Sequence, residues 1–314
     1  MSRFQEEKLF TSFFSSIILA ICCTALWGSA FPSIKIGYEL FSIGDSVFNK
    51  ILFAGCRFTG AGVLVFLFLC FTQKKVPIPK KFAVLDILWL SIAQTSLQYA
   101  LSYIGLSHTT GVKGSIISGS PAFIAVIFAH FFYQNDKLNR YKAIGCIAGF
   151  AGVILINLDA GGIQGGFRWD GEGFLLLSAV SSSIAFVISK RATMKESPAI
   201  VTAYQLLIGG GSLILFGLLG GGKLPVVTWQ GLLLLLYMAF LSAAAFVIWA
   251  GLLKYNPVGK ISLFNFLTPV FGVALSGIFL GEQIWEWKNL VALVLVCSGI
   301  FIVNRIPAQK RSSL

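Results

Sequence analysis

The side chains of this chain able to do chemistry are polar groups set at helical spacing inside long apolar stretches. Ser91, Thr95, Gln98 and Ser102 fall on one helical face with Gln94 beside them, and Ser262, Asn265, Thr268, Gly272 and Ser276 form a similar stripe late in the chain. Ser178, Ser181, Ser182 and Ser189 make a third face, and Ser115 with Ser118 a shorter one. An amide carried into hydrocarbon costs about 2–7 kcal/mol unless it is hydrogen-bonded. Such faces must therefore turn toward a bundle interior, either to pair across helices or to line a hydrated cavity. For Gln98 and Asn265 the cavity reading is preferred, because stripes from both halves of the chain converge near the middle of the bundle. Trp27, Phe31, Tyr99, Tyr103, Phe186 and Trp249 lie on the same stretches and suit the wall of a pocket for a partly apolar solute. Tyr103 and Trp249 occupy similar positions in the two halves.

Charge is scarce inside these stretches. Arg57 lies about ten residues into one of them, where a charge costs at least about 2.5 kcal/mol. It has two readings: an anchor for a substrate carboxylate or gating ion pair, or a structural arginine satisfied by neighbouring carbonyls. Glu282 adjoins a membrane boundary, where a structural role is preferred over proton coupling. Asp86 reads as a solvated end residue, and His108 and His130 as interfacial or packing residues. No Gly-x-x-x-x-Gly-Lys-Ser/Thr, His-Glu-x-x-His or Gly-x-Ser-x-Gly pattern occurs. ATP-driven pumping and the motif-bearing intramembrane enzymes are disfavoured on that ground, as is a channel, which would show rings of charge or a repeated filter. The six cysteines all fall in apolar stretches without metal-ligand spacing, so neither a disulfide framework nor a metal site is expected, and no cofactor is implied.

The elements that must position these residues follow from composition. The chain is 56% hydrophobic and 11% charged, with a mean hydropathy of +0.84. A soluble domain carries about 25% charged residues, so most of this perimeter must face lipid. Windows of about 20 apolar residues, enough for one helix to cross a bilayer, lie near 11–34, 47–72, 83–106, 111–133, 140–158, 173–190, 198–220, 229–253, 259–281 and 287–304. The first is too long for a signal-peptide core and reads as a retained span. The net charge of +12 is laid out by side: 17 of the 24 Lys/Arg fall on one face of the proposed membrane if the N-terminus is cytoplasmic. That is the positive-inside bias, which places both termini in the cytoplasm and accounts for the charge without a nucleic-acid partner.

Gly152 to Asn157 and Gly299 to Asn304 carry nearly the same phrase, and Pro121-x-Phe123 and Pro269-x-Phe271 lie upstream at matching distances. The chain therefore reads as a duplication of 11–158 by 173–304, joined by a Gly-rich polar stretch. Five spans per copy is odd, so the second copy enters from the opposite side, giving inverted repeats. Pro32, Pro121 and Pro269 are expected to interrupt spans 1, 4 and 9, each reading as either a static kink or a break beside a transport site.

Trp27-Gly28-Ser29, Arg57-Phe58, Pro269 followed by Phe279-Leu280-Gly281-Glu282, and the closing Gly-x-x-x-x-Asn of each half together resemble the drug/metabolite transporter superfamily in its ten-helix, EamA-domain form. The likeness covers essentially the whole chain. It departs at Gln134, which stands where the second repeat has Glu282, and this weighs against a mechanism needing paired acids there. The resemblance implies an all-α integral membrane protein of ten helices. It implies a secondary transporter, usually an exporter, of amino acids, related metabolites or drugs, working by alternating access, with an importer or exchanger as the alternative. It also implies a cavity lined by spans 1, 3, 4, 6, 8 and 9. The expected substrate-binding set is Trp27, Ser29, Gln94, Gln98, Tyr99, Tyr103, Ser118, Phe186, Trp249 and Asn265, with Arg57, Pro121, Pro269 and Glu282 as gating or structural residues. Expected partners are a small-molecule substrate, the bilayer of a bacterial inner membrane, a proton or counter-solute, and a second copy of the chain.

Overall fold

The computed structural model describes residues 3–108, 117, 119–156, 167–280 and 287–304. Its elements are α1 (Arg3–Thr11), α2 (Phe13–Leu40), α3 (Val47–Gln73), α4 (Lys81–Leu90), α5 (Gln98–Ser107), α6 (Ser120–Phe132), α7 (Arg140–Ile156), α8 (Phe174–Lys195), α9 (Pro198–Leu219), α10 (Trp229–Tyr255), α11 (Val258–Ser262), α12 (Leu267–Leu280) and α13 (Trp287–Asn304). A π-helical segment, Ser91–Leu97, joins α4 to α5, another, Trp169–Gly173, opens α8, and a 3₁₀ turn, Leu263–Phe266, joins α11 to α12. No strand occurs among the described residues. Six helices are long and apolar enough to cross a membrane. Large apolar side chains such as Phe14, Phe71, Leu219 and Ile278 stand exposed around the bundle, as lipid-facing residues do.

One end of the bundle is marked by tryptophan. Trp169, Trp229 and Trp287 are exposed, and each opens a helical stretch that runs from the lysine-poor side. Indoles favour this depth because the ring is apolar and the N–H seeks the wet headgroups. The opposite end carries α1, whose Arg3, Glu6, Glu7 and Lys8 make it polar. Phe10 stacks on Tyr255 at 5.8 Å, and Asn256 Nδ2 donates to the Phe10 carbonyl at 2.9 Å, so α1 is tied to the end of α10.

Helix pairing follows the duplication. The first repeat spans α2 to α7 and the second α8 to α13. α3 packs on α9 and α7 on α13, each pair joining equivalent spans of the two copies. The contact of α2 with α10 has its mate in α8 with α4 and α5, and that of α2 with α12 in α8 with α6. A pseudo-two-fold axis relating the copies accounts for every one of these pairings.

Lipid is as apolar as leucine, so helices here associate by close packing rather than by escaping water. The α3–α9 seam shows how. A Cβ on Gly55 would lie 2.6 Å from the Ile214 nitrogen, one on Gly62 2.7 Å from that of Leu207, and one on Gly210 2.4 Å from that of Thr59. At α7–α13 a Cβ on Gly299 would meet the Gly145 carbonyl at 2.6 Å. The closing phrase of the second repeat thus packs on the Gly-x-x-x-Gly of the first.

Two expectations change. Pro121 does not interrupt a helix, since it sits in the first turn of α6, where no intrahelical partner is lost. Pro269 lies in the first turn of α12, directly after the 3₁₀ turn that separates α11 from α12, so span 9 is interrupted beside it as expected. Pro32 does lie inside a helix, α2. Asp86 is buried rather than solvated, paired with Arg191 Nε at 3.1 Å and Lys195 Nζ at 2.5 Å. Ser118 and Glu282 lie outside the described residues.

Two stability predictions come from this packing. Gly210→Ala forces the α3–α9 backbones apart and destabilises by about 1–3 kcal/mol, measured as a lower melting temperature in detergent. Gly211→Ala, whose Cβ would meet nothing within 4 Å, leaves the melting temperature unchanged or raises it. Asp136 is buried with Lys142 Nζ at 2.5 Å and also accepts the Gly259 amide at 2.8 Å. Asp136→Ala strands the lysine and costs about 3–5 kcal/mol, whereas Asp136→Ala with Lys142→Met recovers most of that loss.

Candidate functional site

Aromatic rings from both repeats form a continuous column through the bundle. The Trp27 ring of α2 meets Trp249 of α10 at 4.9 Å, and Trp249 meets Phe186 of α8 at 5.9 Å. From Trp27 the column continues through Phe246 at 5.6 Å to Phe58 of α3 at 6.1 Å. Phe58 lies 4.4 Å from Tyr99, and Tyr99 lies 6.5 Å from Tyr103 on α5. Five of the residues expected at the site are thereby brought together, joined by Phe58 and Phe246, which the sequence reading did not single out. Ser242, Phe246 and Trp249 recur at i, i+4 and i+7 on α10, a spacing that puts them on one face and could have revealed Phe246.

The polar stripes divide into two groups. Many hydroxyls are spent on joining helices. Ser102 pairs with Ser178 at 2.7 Å, Ser178 also donates to the Gln98 carbonyl at 2.8 Å, and Ser96 meets Ser212 at 2.6 Å. Ser181 donates to the Ala93 carbonyl at 2.7 Å, and Ser183 to that of Pro121 at 2.9 Å. Ser29 lies at the α2–α10 seam, 2.9 Å from the hydroxyl of the largely exposed Tyr237. Its hydroxyl is also bonded to the Leu26 carbonyl at 2.8 Å.

The second group has buried polar atoms to spare. Gln98 Oε1 and Trp249 Nε1 are buried with no hydrogen-bond partner among the described residues, and leaving such an atom unpaired costs about 1–3 kcal/mol. Gln94 is buried on the π-helical segment, whose widened turn shifts the register so that Gln94 and Thr95 both turn inward. Asn265 sits in the 3₁₀ turn, where its Oδ1 accepts from Thr268 over a long 3.4 Å. Its neighbours Phe264 and Phe266 share a core with Phe186 and Trp249.

Arg57 belongs to this second group. Its Nε donates to Ser242 Oγ at 2.8 Å, and its guanidinium lies 5.0 Å over the Phe58 ring. The pseudo-symmetric mate of this bond joins Gln205 Nε2 of α9 to Thr95 Oγ1 at 3.0 Å. Each bond ties the second span of one copy to the third span of the other, one through a neutral amide and the other through a charge.

The lysine-rich end holds a bonded lysine and an ion pair. Lys190 Nζ donates to the Asn256 carbonyl and lies over the Tyr133 ring, whose hydroxyl donates to the Val187 carbonyl at 3.1 Å. Beside them sits the Asp136–Lys142 pair. The sequence reading missed Asp136 because a carboxylate in a short polar loop ordinarily faces water. An apolar groove between α2, the 3₁₀ turn and α13, lined by Phe13, Ile17, Phe264, Cys297 and neighbours, opens to the lipid perimeter. It offers no polar group to recognise a solute.

The comparisons with known proteins agree with this architecture. The model of the EamA-like transporter family matches residues 14–158 and again 169–305. Transporter YoaV of Bacillus subtilis is 28% identical over 90% of this chain and 94% of its own. Inner membrane transporter YedA of Escherichia coli is 25% identical over 90% of both chains. A crystal structure superposes with a TM-score of 0.78 over 96% of this chain and all of that one, at 17% identity, and so shares the fold. Matched by the family model in both halves, this multi-pass membrane protein belongs to the EamA-like transporter family.

Proposed function

We propose that this protein is a secondary active transporter of the inner (plasma) membrane that exports small metabolites such as amino acids, or drugs, by alternating access. One repeat moves against the other, driven by a proton or counter-solute gradient, with the lysine-rich end cytoplasmic. The observation that carries the reading is the aromatic column itself. It is built from both repeats, and Trp249 within it and Gln98, next to its Tyr99, each hold a buried polar atom with no hydrogen-bond partner among the described residues. A solute held between two copies can be passed from side to side by exchanging their contacts, which is how inverted-repeat carriers work. The contacts at the lysine-rich end, the Asp136–Lys142 ion pair and the Lys190 bond to the Asn256 carbonyl, are ones that such an exchange must break. Catalysis is not part of this reading, since the buried polar groups of the column are amides, hydroxyls, an indole and a guanidinium without an acid–base pair.

Saturable counterflow in proteoliposomes tests it: preloaded amino acids or drugs accelerate uptake of the labelled compound in a carrier, whereas passive conductance without trans-stimulation points to a channel. Gln98→Ala and Asn265→Ala abolish counterflow while stability, followed by the melting temperature, stays within about 1 kcal/mol of the parent, and unchanged transport in both removes the proposed site. Ser178→Ala behaves oppositely. Its hydroxyl links α8 to α5, so its loss costs about 0.6–1.7 kcal/mol of stability and leaves counterflow in place.

A further inference from the structure

We propose that Arg57 anchors a carboxylate subsite, and that the transported solute is a monocarboxylate with an apolar or aromatic body. This rests on the transport site proposed above and names the class of molecule it takes.

Depth is the first argument. Arg57 lies ten residues into α3, about 15 Å along the helix, or half of a hydrocarbon core about 30 Å thick. Its partner Ser242 lies at the middle of α10. Arg57 is only 4% exposed, yet no carboxylate among the described residues pairs with it. Asp86, Asp136 and Asp170 are engaged by Arg191 with Lys195, by Lys142, and by Arg168. Glu196 accepts the amides of Lys80 and Ser197, while Glu39 and Asp45 are exposed.

Geometry is the second. The Ser242 hydroxyl donates its proton to the Met238 carbonyl at 2.7 Å, so it can only accept from Arg57 Nε. That bond fixes the guanidinium plane and uses one of its five N–H donors. The Nη1/Nη2 edge has no hydrogen-bond partner among the described residues, and two parallel N–H groups are the fork that matches a carboxylate. Phe58, under the guanidinium, lies 4.4 Å from the Tyr99 ring, which lies 6.5 Å from that of Tyr103. Tyrosine rings thus continue from the ring that the guanidinium covers.

The internal symmetry supplies a control. Gln205 holds the equivalent place in the second repeat and makes the equivalent bond, to Thr95, without a charge. Tying these helices together therefore does not require an arginine. The charge at residue 57 is surplus to packing, and its free edge adjoins Phe58, from which the aromatic column leads through Phe246 to Trp27. A single guanidinium balances one negative charge, and the rings beside it suit an apolar body.

The test titrates the full chain in detergent with 3-phenylpropanoate, its primary amide 3-phenylpropanamide and 3-phenylpropylamine, read by tryptophan fluorescence and melting temperature. The carboxylate binds the parent about tenfold or more tighter than the amide, and the amine does not bind. Arg57→Gln removes that preference and leaves the amide's affinity unchanged. Arg57→Lys keeps the charge without the fork and loses about three- to tenfold for the carboxylate alone. Should Arg57→Gln not fold, Arg57→Lys decides by the same comparison. Equal binding of carboxylate and amide by the parent, an unchanged preference in the variants, or no binding of any probe overturns the carboxylate subsite. The counterflow experiment does not depend on these probes, so the transport reading stands or falls separately.

Discussion

Everything in this structure depends on helices meeting in a solvent that gives them no reason to meet. Lipid tails leave apolar side chains indifferent between neighbours and surroundings, so association rests on backbone approach and interhelical hydrogen bonds. Gly55 and Gly62 of α3 interlock with Gly210 and Gly217 of α9, contacts that no side chain larger than hydrogen permits. That seam joins the two copies, as does Gly299 of α13 on Gly145 of α7. With these two contacts made between equivalent helices, the remaining spans of each copy are brought against the other, and the aromatic column forms between them.

The same constraint sorts the polar residues. In hydrocarbon every hydroxyl and amide needs a partner, and the serines of α5 and α8 find theirs in one another or in exposed carbonyls. They are structural connectors that happen to lie on cavity-side helices. What distinguishes Gln98 and Trp249 is a buried polar atom left over after the packing is complete, and beside them Arg57 is a buried charge with no carboxylate paired to it among the described residues. In a bundle this economical with polar groups, such surplus marks where a solute is handled.

Much was legible in the residues because membrane physics writes itself along the chain. Apolar windows of crossing length recovered the helical stretches, since each must bury its backbone polar groups internally. The twin Gly-to-Asn phrases announced the duplication, and Trp27, Phe186, Trp249, Tyr99 and Tyr103, picked out from their places on the polar-faced spans, all lie in the aromatic column. Less legible were the proline positions and the charges. Pro121 reads as a break within an apolar run, yet α6 begins only at Ser120, so the proline starts the helix instead. Asp86 and Asp136 look like loop or end carboxylates, and burial came to them from helices far away in sequence, α8 and α11.

The chain by itself determined the class of environment, the length and number of its apolar stretches, and the relation of its halves, because these follow from composition and periodicity, which are local. Tertiary structure alone decided which polar groups were consumed in packing and which were left unpaired. Ser178 and Gln98 are alike on a helical wheel, as are Gln205 and Arg57 in the aligned repeats. Their fates differ because a hydrogen bond is satisfied or not by a partner some eighty or more residues away, and only the packed bundle brings that partner within 3 Å.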